Sequence, residues 1–589
     1  MAADPTARPR RLRAGLTVAL LLVAVWAALA GAALLRAGDR AQAGIDRLES
    51  AQRDLHAADV LRGEGLDAMR DARDDFRAAH AATRSPVVVP LRVLPVLGRQ
   101  IRSVDALTGA AATVTAAGAD ATASAQRAVR GRPADGAQRL ALLDELHGIS
   151  TRAGARIRRV RLGPSRALVG PLADARGRFA TQLARIDRAT AELSDASVGL
   201  TEVLRGPARY VLFAASNAEM RSGSGMWLLA GDLRFADGRF ALGEVGSVTA
   251  ANPPDASTPI PPELAPWVWT RPNEEIRNLA FSPDLAPNAR LAAALWARAR
   301  GGAVDGVLVL DPVALRGLLA ATGPVEVEGR RLDVSNVLDY LLAEQYRGVG
   351  YDPGDPEGGS SGQSERHAGL SQVARAVITR LDEQGWDAAD LLDALGPAAA
   401  GRHVLAWSPH PTQDRAWRAA GVGGEVPRDA LALSIANVGA NKLDPYLVVD
   451  ATVAATDRAG GGRRVTVTAR VRNDTPTGLG AYAAGPSPLT DLAEGEYAGV
   501  LTFDVPAWAR SIRLEGADAI QTRGRDGPAR MVAGNFRVSR GATRTFTLRF
   551  DLPQGRARVS VRPSARVPAT TWHHGSTTWR DEEPRSFEP

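Results

Sequence analysis

A few isolated cations and carboxylates are the residues of this chain best placed to do chemistry. Arg221 stands in the polar run Asn217-Ala218-Glu219-Met220-Arg221-Ser222-Gly223-Ser224-Gly225, just after the apolar stretch Tyr210–Ala215. Lys442, inside Asn441-Lys442-Leu443-Asp444-Pro445-Tyr446, is the only lysine among 72 basic residues. A composition that uses arginine almost everywhere makes a retained lysine worth noticing, because the two cations differ in geometry and hydration, although chance survival is the plainer account. Asp305, Glu344, Arg347 and Arg366 could converge in one pocket if the domain is α/β, and surface and salt-bridge use is their plainer reading. Other chemistries lack their parts. Gly223-Ser224-Gly225 has no glycine two residues before the serine, as a nucleophile elbow requires. His573 and His574 are adjacent rather than spaced to share one face, no Gly-rich phosphate loop ending in Lys is present, and the chain has no cysteine.

These side chains need elements to position them. Tyr210–Ala215 reads as a buried strand, and Met226–Phe235 with Arg239–Val245 reads as a hairpin turned by Asp237-Gly238. Asp305–Leu310 reads as a strand running into a helix over Val313–Ala321, with Pro312 at its start and Thr322-Gly323-Pro324 as its stop. A short strand, Val325–Val327, and a helix capped by Ser335 follow. Alternating helices and strands predict an α/β domain over residues 206–445, with a loop rich in Gly, Asp, Pro and Ser over 348–364. From Tyr446 the pattern changes to period two, as in Arg464–Val471 and Thr543–Phe550, which predicts a β-sandwich over 446–562. Residues 563–589 are expected to form a flexible tail with little fixed structure.

The first 205 residues are of another kind. Ala14–Leu35 carries no charge and, as a helix, is long enough to cross a hydrocarbon core of roughly 30 Å. Arg8, Arg10, Arg11 and Arg13 precede it, so a membrane reading leaves residues 1–13 in the cytoplasm and the bulk outside. A cleaved signal ending near Ala28-Leu29-Ala30 is the alternative, and either reading exports the protein. Residues 36–205 show helical spacing, as in Leu66, Met69 and Phe76, interrupted by Pro86, Pro90 and Pro95, which predicts a helical stalk. The expected class is therefore α+β multidomain: transmembrane helix (14–35), stalk, central α/β domain and β-sandwich. A formal charge of +7, from 72 basic against 65 acidic residues spread along the chain, gives no reason to expect a nucleic-acid partner.

Several of these segments together resemble the bacterial family called domain of unknown function 4012: Asn217-Ala218-Glu219 to Gly225, Ser282-Pro283-Asp284, Val304-Asp305-Gly306-Val307, Asp311-Pro312-Val313-Ala314-Leu315, Thr322-Gly323-Pro324-Val325, and Asn437 with Asn441-Lys442-Leu443-Asp444. The similarity covers about 206–446, and the anchor and stalk also look like that family. The family usually has two adjacent glycines after the arginine, where this chain has Ser224-Gly225. A more distant resemblance is to the LytR-CpsA-Psr proteins, membrane-anchored phosphotransferases that move glycopolymers from polyprenyl pyrophosphate to the cell wall. Arg221-Ser222 before the Met226 strand looks like their Arg-rich opening, and Gly362-Gln363-Ser364-Glu365-Arg366-His367 looks like their late helix start.

That resemblance implies an α/β fold, cations around a pyrophosphate and a carboxylate-held Mg²⁺, since phosphoryl transfer spreads negative charge over oxygens. Gly223 stands where those enzymes carry the metal-binding aspartate, and Gln363 replaces the first late arginine, so only Arg221 and Arg366 match as cations. The expected ligand-binding candidates are Arg221, Asp305, Arg347, Arg366 and Lys442, with no catalytic residue assigned and Mg²⁺ only if transfer occurs. Two functions are carried forward. One is an extracytoplasmic cell-envelope protein whose central domain binds a polyprenyl-linked glycan or wall polymer; the other is a non-catalytic envelope scaffold or binding protein.

Overall fold

The computed structural model describes residues 7–54, 57–351, 363–556 and 558–589, without the side chains of 7–21, 23, 51–54, 57 and 363–368. It divides into two compact units, one comprising residues 1–131 and 145–194, the other residues 132–144 and 195–589.

The first unit is helical. It contains α1 (Ala7–Asp54), α2 (Ala57–Arg62), α3 (Leu66–Thr83) and α4 (Leu97–Val129), and it takes in part of α5 (Gly136–Arg158) and α6 (Gly170–Arg205). Between α3 and α4 the three prolines leave only a short 3-10 turn, Val89–Val93. Phe76 packs with Ala72, Ala111 and Ala112, and a Cβ on Gly44 would come within 2.9 Å of its ring, so small residues set the close approach of α1 to α3. The carboxylate of Asp105 collects Thr83 Oγ1 at 2.8 Å and Arg84 Nε at 3.1 Å. Among the described residues no helix is long and apolar enough to cross a membrane. The charge-free run 14–35 lies within α1, and its side chains 14–21 and 23, like those of the preceding arginines, lie outside the described residues.

The second unit holds the sheets. The central one has the order β3-β2-β1-β4-β7, with β1 (Ala208–Ser216), β2 (Met226–Ala236), β3 (Arg239–Ser247), β4 (Gly306–Leu310) and β7 (Val404–Trp407). β1 pairs parallel with β4, and the other three pairings are antiparallel, so the α/β expectation resolves to a mixed sheet. Period-two alternation divides β1 between two cores. Val211 and Phe213 join Leu291 and Leu295 of α7 (Leu285–Arg300), while Tyr210 and Leu212 face Ile378 of α10 (Gln363–Glu383) and Trp417 of α12 (Pro411–Ala419).

Local signals act as expected at several joints. Asp237 and Gly238 both adopt positive φ, 52° and 77°, the conformation of a tight hairpin turn. Asp311 caps α8 (Pro312–Thr322) by accepting from the amides of Val313 and Ala314. The hairpin of β5 (Val325–Val327) and β6 (Arg330–Leu332) stands apart from the main sheet. Before α9 (Val337–Leu342) the cap position is Asn336 rather than Ser335, whose hydroxyl instead donates to Asp333. α11 (Ala388–Ala400) packs on α8, where Gly317 lets the backbone of Ala394 approach: a Cβ there would lie 2.5 Å from its carbonyl oxygen.

Two six-stranded sheets form the sandwich. One is β12-β15-β10-β9-β17-β18 and the other β13-β14-β11-β8-β16-β19. Their ranges are β8 (Ala430–Asn437), β9 (Leu447–Asp457), β10 (Arg463–Asn473), β11 (Tyr497–Val505), β12 (Arg510–Glu515), β13 (Ala519–Asp526), β14 (Ala529–Val538), β15 (Thr543–Leu552), β16 (Val559–Val561), β17 (Thr571–His574), β18 (Thr577–Arg580) and β19 (Arg585–Phe587), with the single turn α13 (Ala481–Ala484) between β10 and β11.

Two expectations are corrected. β8 belongs to the sandwich, although it precedes residue 446, because it pairs with β11 and β16 and is buried along its whole length. Residues 563–589 are not a loose tail. β17 adds in parallel to β9, and Trp572 is fully enclosed in the sandwich core. A tryptophan of that size contributes enough buried apolar surface to fix the segment that carries it.

Candidate functional site

β1 ends at Ser216, and the chain then folds tightly through Asn217–Gly225. The reversal needs Gly225, whose φ is +91° and whose Cβ, if present, would lie 2.5 Å from Ser216 O. Gly223 is held flat against a neighbouring segment. Its amide donates to Ala280 O at 2.8 Å, and a Cβ would meet Ala280 O and Ser282 O at 3.0 Å. Asn217 is buried and donates to Asp311 Oδ2 at 2.9 Å and to Ala565 O at 2.8 Å, while Asp311 also accepts from His403 Nδ1 at 2.6 Å. The Met220 amide donates to Asp444 Oδ2 at 3.0 Å, and the Asn437 amide to Met220 O at 2.9 Å. The run is thus clamped by β4, by β8 and by the C-terminal segment.

This clamping aims two cations at one place. Arg221 donates through Nη1 to Asn437 O at 2.6 Å and to Met220 O at 3.1 Å, and its guanidinium lies 4.6 Å from the centre of the Phe281 ring. Burial pulls its pKa below the usual arginine value, against the pull of Glu219 and Asp444. Lys442 Nζ lies 2.5 Å from Glu219 Oε1, with the rings of Tyr482 and Tyr346 at 4.5 and 5.9 Å. Burial works to discharge this ammonium, but Glu219 and the two tyrosines outweigh it and hold its pKa above the ordinary value. The sole lysine is therefore a charged, fully housed side chain.

Both cations line a cavity of about 320 Å³, together with Glu219, Glu275, Arg277 and Tyr482. Beside it lies a smaller cavity of about 100 Å³ with an almost wholly apolar wall, including Leu212, Leu315, Leu318, Val373, Val377 and Ile378. Leu228, Gln345, Tyr346 and Leu370 line both, so the polar and apolar cavities are neighbours across a shared wall. Such a site can take an anionic group at one end and hydrocarbon at the other.

The expected candidates separate accordingly. Arg221 and Lys442 meet. Asp305 does not join them: it sits before the first residue of β4, at the opposite end from Asp311, where it accepts from the Arg209 amide at 2.8 Å and pairs with His410 Nε2 at 3.0 Å. A five-residue strand puts those ends on the order of 17 Å apart. Arg347 is exposed, and Glu344 is spent on Arg330 at 3.1 Å, so neither lines the cavities. Arg366 falls at the start of α10, where side chains lie outside the described residues, as does most of the 348–364 loop.

Sequence reasoning missed Glu219, Arg277 and Tyr482. Glu219 lay in plain view two residues before Arg221, but nothing local marks it as the partner of a lysine 223 positions later. Tyr482 was assigned to the sandwich and reaches the cavity from there. The carboxylates do not make a donor set for Mg²⁺, since Glu219 is bound to Lys442 and Glu275 to Arg277 at 2.7 Å. Among the described residues no group of three metal-ligating side chains converges.

Residues 205–346 match the family model described as "Protein of unknown function (DUF4012)", which supports that resemblance over the region holding Glu219, Arg221 and, of the shared cavity wall, Leu228, Gln345 and Tyr346. No curated protein and no solved structure gives a match.

Proposed function

We propose, from that family match and the two joined cavities, that the chain is a membrane-anchored, extracytoplasmic cell-envelope protein whose central domain holds a polyprenyl-linked phosphate ligand. In this reading the charge-free run Ala14–Leu35 is a single-pass anchor in the cytoplasmic membrane with its basic flank inside. The observation that carries the ligand reading is the wall shared by the cation-lined and apolar cavities at Leu228, Gln345, Tyr346 and Leu370. A phosphate beside Arg221 and Lys442 would leave the first isoprene units of its chain facing Leu212, Leu315 and Val377.

Binding without transfer is the better-supported form of this reading. Lys442 is offset by Glu219 and Arg277 by Glu275, so the cavity brings about one net positive charge, from Arg221, to a group that phosphoryl transfer would surround with several. The distant resemblance to LytR-CpsA-Psr proteins then concerns ligand and architecture rather than turnover.

Full-length protein in detergent micelles should bind polyprenyl phosphate, and Arg277→Gln and Leu370→Glu should each weaken binding while leaving the melting temperature within a few degrees. No binding by the wild type, or binding indifferent to both substitutions, would leave the scaffold reading.

A further inference from the structure

Away from the central domain, the sandwich has a pocket of about 450 Å³ whose charge is entirely positive. It is lined by Ala507–Arg510, Arg530, Pro553, Gln554 and Arg556, with no acidic side chain. The three arginines come from separate segments: the first residue of β12, the second residue of β14 and the turn after β15. Each segment is braced. Arg530 Nη1 donates to Ala509 O at 2.8 Å, the Arg556 guanidinium lies 5.2 Å from the centre of the Trp508 ring, and Trp508 Nε1 donates to Arg556 O at 3.1 Å.

Elsewhere in the sandwich several arginines are matched by carboxylates, Arg537 with Asp491, Arg540 with Glu494, Arg544 with Asp518 and Arg549 with Glu515, whereas Arg523 and Arg525 reach only backbone carbonyls; what sets Arg510, Arg530 and Arg556 apart is that they line one pocket together. Asp551, which faces Arg510 across the strand pairing, is buried and already bound by Arg464 at 2.9 Å and Arg458 at 3.1 Å. Among the described residues, no ion pair joins Arg510, Arg530 or Arg556 to a carboxylate. Three like charges gathered and left uncompensated repel one another, and a bound anion removes that repulsion. The planar fork of arginine suits a two-oxygen anion such as a carboxylate or phosphate, and Trp508 adds an apolar edge against which a sugar ring can lie.

We propose that this pocket binds an anionic saccharide, a sugar unit bearing a carboxylate or a phosphate. The site is independent of the central-domain ligand, because it shares no residue with either cavity there. Such units come in two chemical forms, sugars that carry a carboxylate, such as uronic acids, and sugars that carry a phosphate.

Calorimetric titration of the full-length protein in detergent, with an oligogalacturonate, a phosphorylated malto-oligosaccharide and neutral maltohexaose, tests the assignment. One or both anionic probes should bind, more weakly at high salt, with the neutral one at least about tenfold weaker. The double variant R510Q/R556Q should lose about tenfold or more in affinity. If that variant melts early, Gln554→Glu, on an exposed turn residue of the same pocket, should weaken the same probes without loss of fold. Which anionic probe binds identifies the source. Failure of both, equal binding of maltohexaose, or wild-type affinity in the variants would overturn the assignment.

Discussion

Arg566 Nη1 lies 3.2 Å from Asp444 Oδ1, 122 positions apart in sequence, and both side chains are fully enclosed. Asp444 also accepts from the Met220 amide, from Asn437 Nδ2 at 2.8 Å and from Tyr497 Oη at 3.0 Å. The C-terminal segment is thereby tied to the loop that carries Arg221. Removing one partner of a buried pair leaves the other uncompensated, so Arg566→Met should cost about 3–5 kcal/mol, read as a lower midpoint in urea unfolding.

Lys442 and Glu219 form the second enclosed pair, 2.5 Å apart. Glu219→Gln strands a buried ammonium and should destabilise by a similar amount, roughly 3 kcal/mol or more. The double variant Lys442→Met/Glu219→Gln should recover part of that loss, because no charge is then left alone. A double-variant loss equal to the sum of the Glu219→Gln and Lys442→Met losses would show that the two side chains are not coupled.

Several buried aspartates make stability depend on pH. Burial raises Asp581 to about 6, and burial with the neighbouring Asp526 raises Asp284 to about 6. Asp526, on β13, is also pushed up to about 6 by burial, although Trp267 Nε1 at 2.8 Å and Ser282 Oγ at 2.7 Å favour its charged form. Asp504, buried beside it on β11, is pushed further, first by burial and then by Asp526, while Arg402 nearby pulls the other way. For Asp581, Asp284 and Asp526 the folded value lies above the unfolded one, so the stabilisation is full below about pH 4 and is lost as pH rises through about 6, and Asp504 acts in the same direction. For Asp581 alone this is on the order of 3 kcal/mol. Asp581→Asn should remove that part of the slope between pH 4 and 7, and an unchanged slope would contradict the assignment.

Two glycines contrast a constrained position with an open one. Gly225→Ala meets both a positive φ and the Ser216 carbonyl and should cost on the order of 1–3 kcal/mol. Gly246→Ala meets nothing within 4 Å at an ordinary φ and should lie within about 0.5 kcal/mol of wild type. Thermal unfolding of the two variants side by side checks the contrast.

What could be read from the sequence was set by range. The Asp237-Gly238 turn, the passage from strand to helix at Pro312 and the proline break between α3 and α4 are written within a few residues and stand where they were expected. Arg221 stood out in the sequence as a cation in a Gly/Ser-rich turn after a buried strand, and the structure places it on the wall of the polar cavity. Asp305 does not reach the cavities because it lies at the start of strand β4, whereas the apolar cavity lies at the other end, beside Asp311. β8 and β17 were missed because what places them is pairing with β11 and β9, partners tens to more than a hundred residues away. Polar composition alone made 563–589 look loose, when Trp572 and Arg566 pin it from within.

The central claim is that the polar and apolar cavities are one ligand site. The most direct measurement is the affinity of full-length protein for prenyl phosphates of increasing chain length, from inorganic phosphate upward, for wild type and Leu370→Glu. Affinity that climbs over the first few isoprene units and then levels off in the wild type, with the climb abolished in the variant, is the predicted result. Affinity independent of chain length, or the same climb in Leu370→Glu, would contradict it.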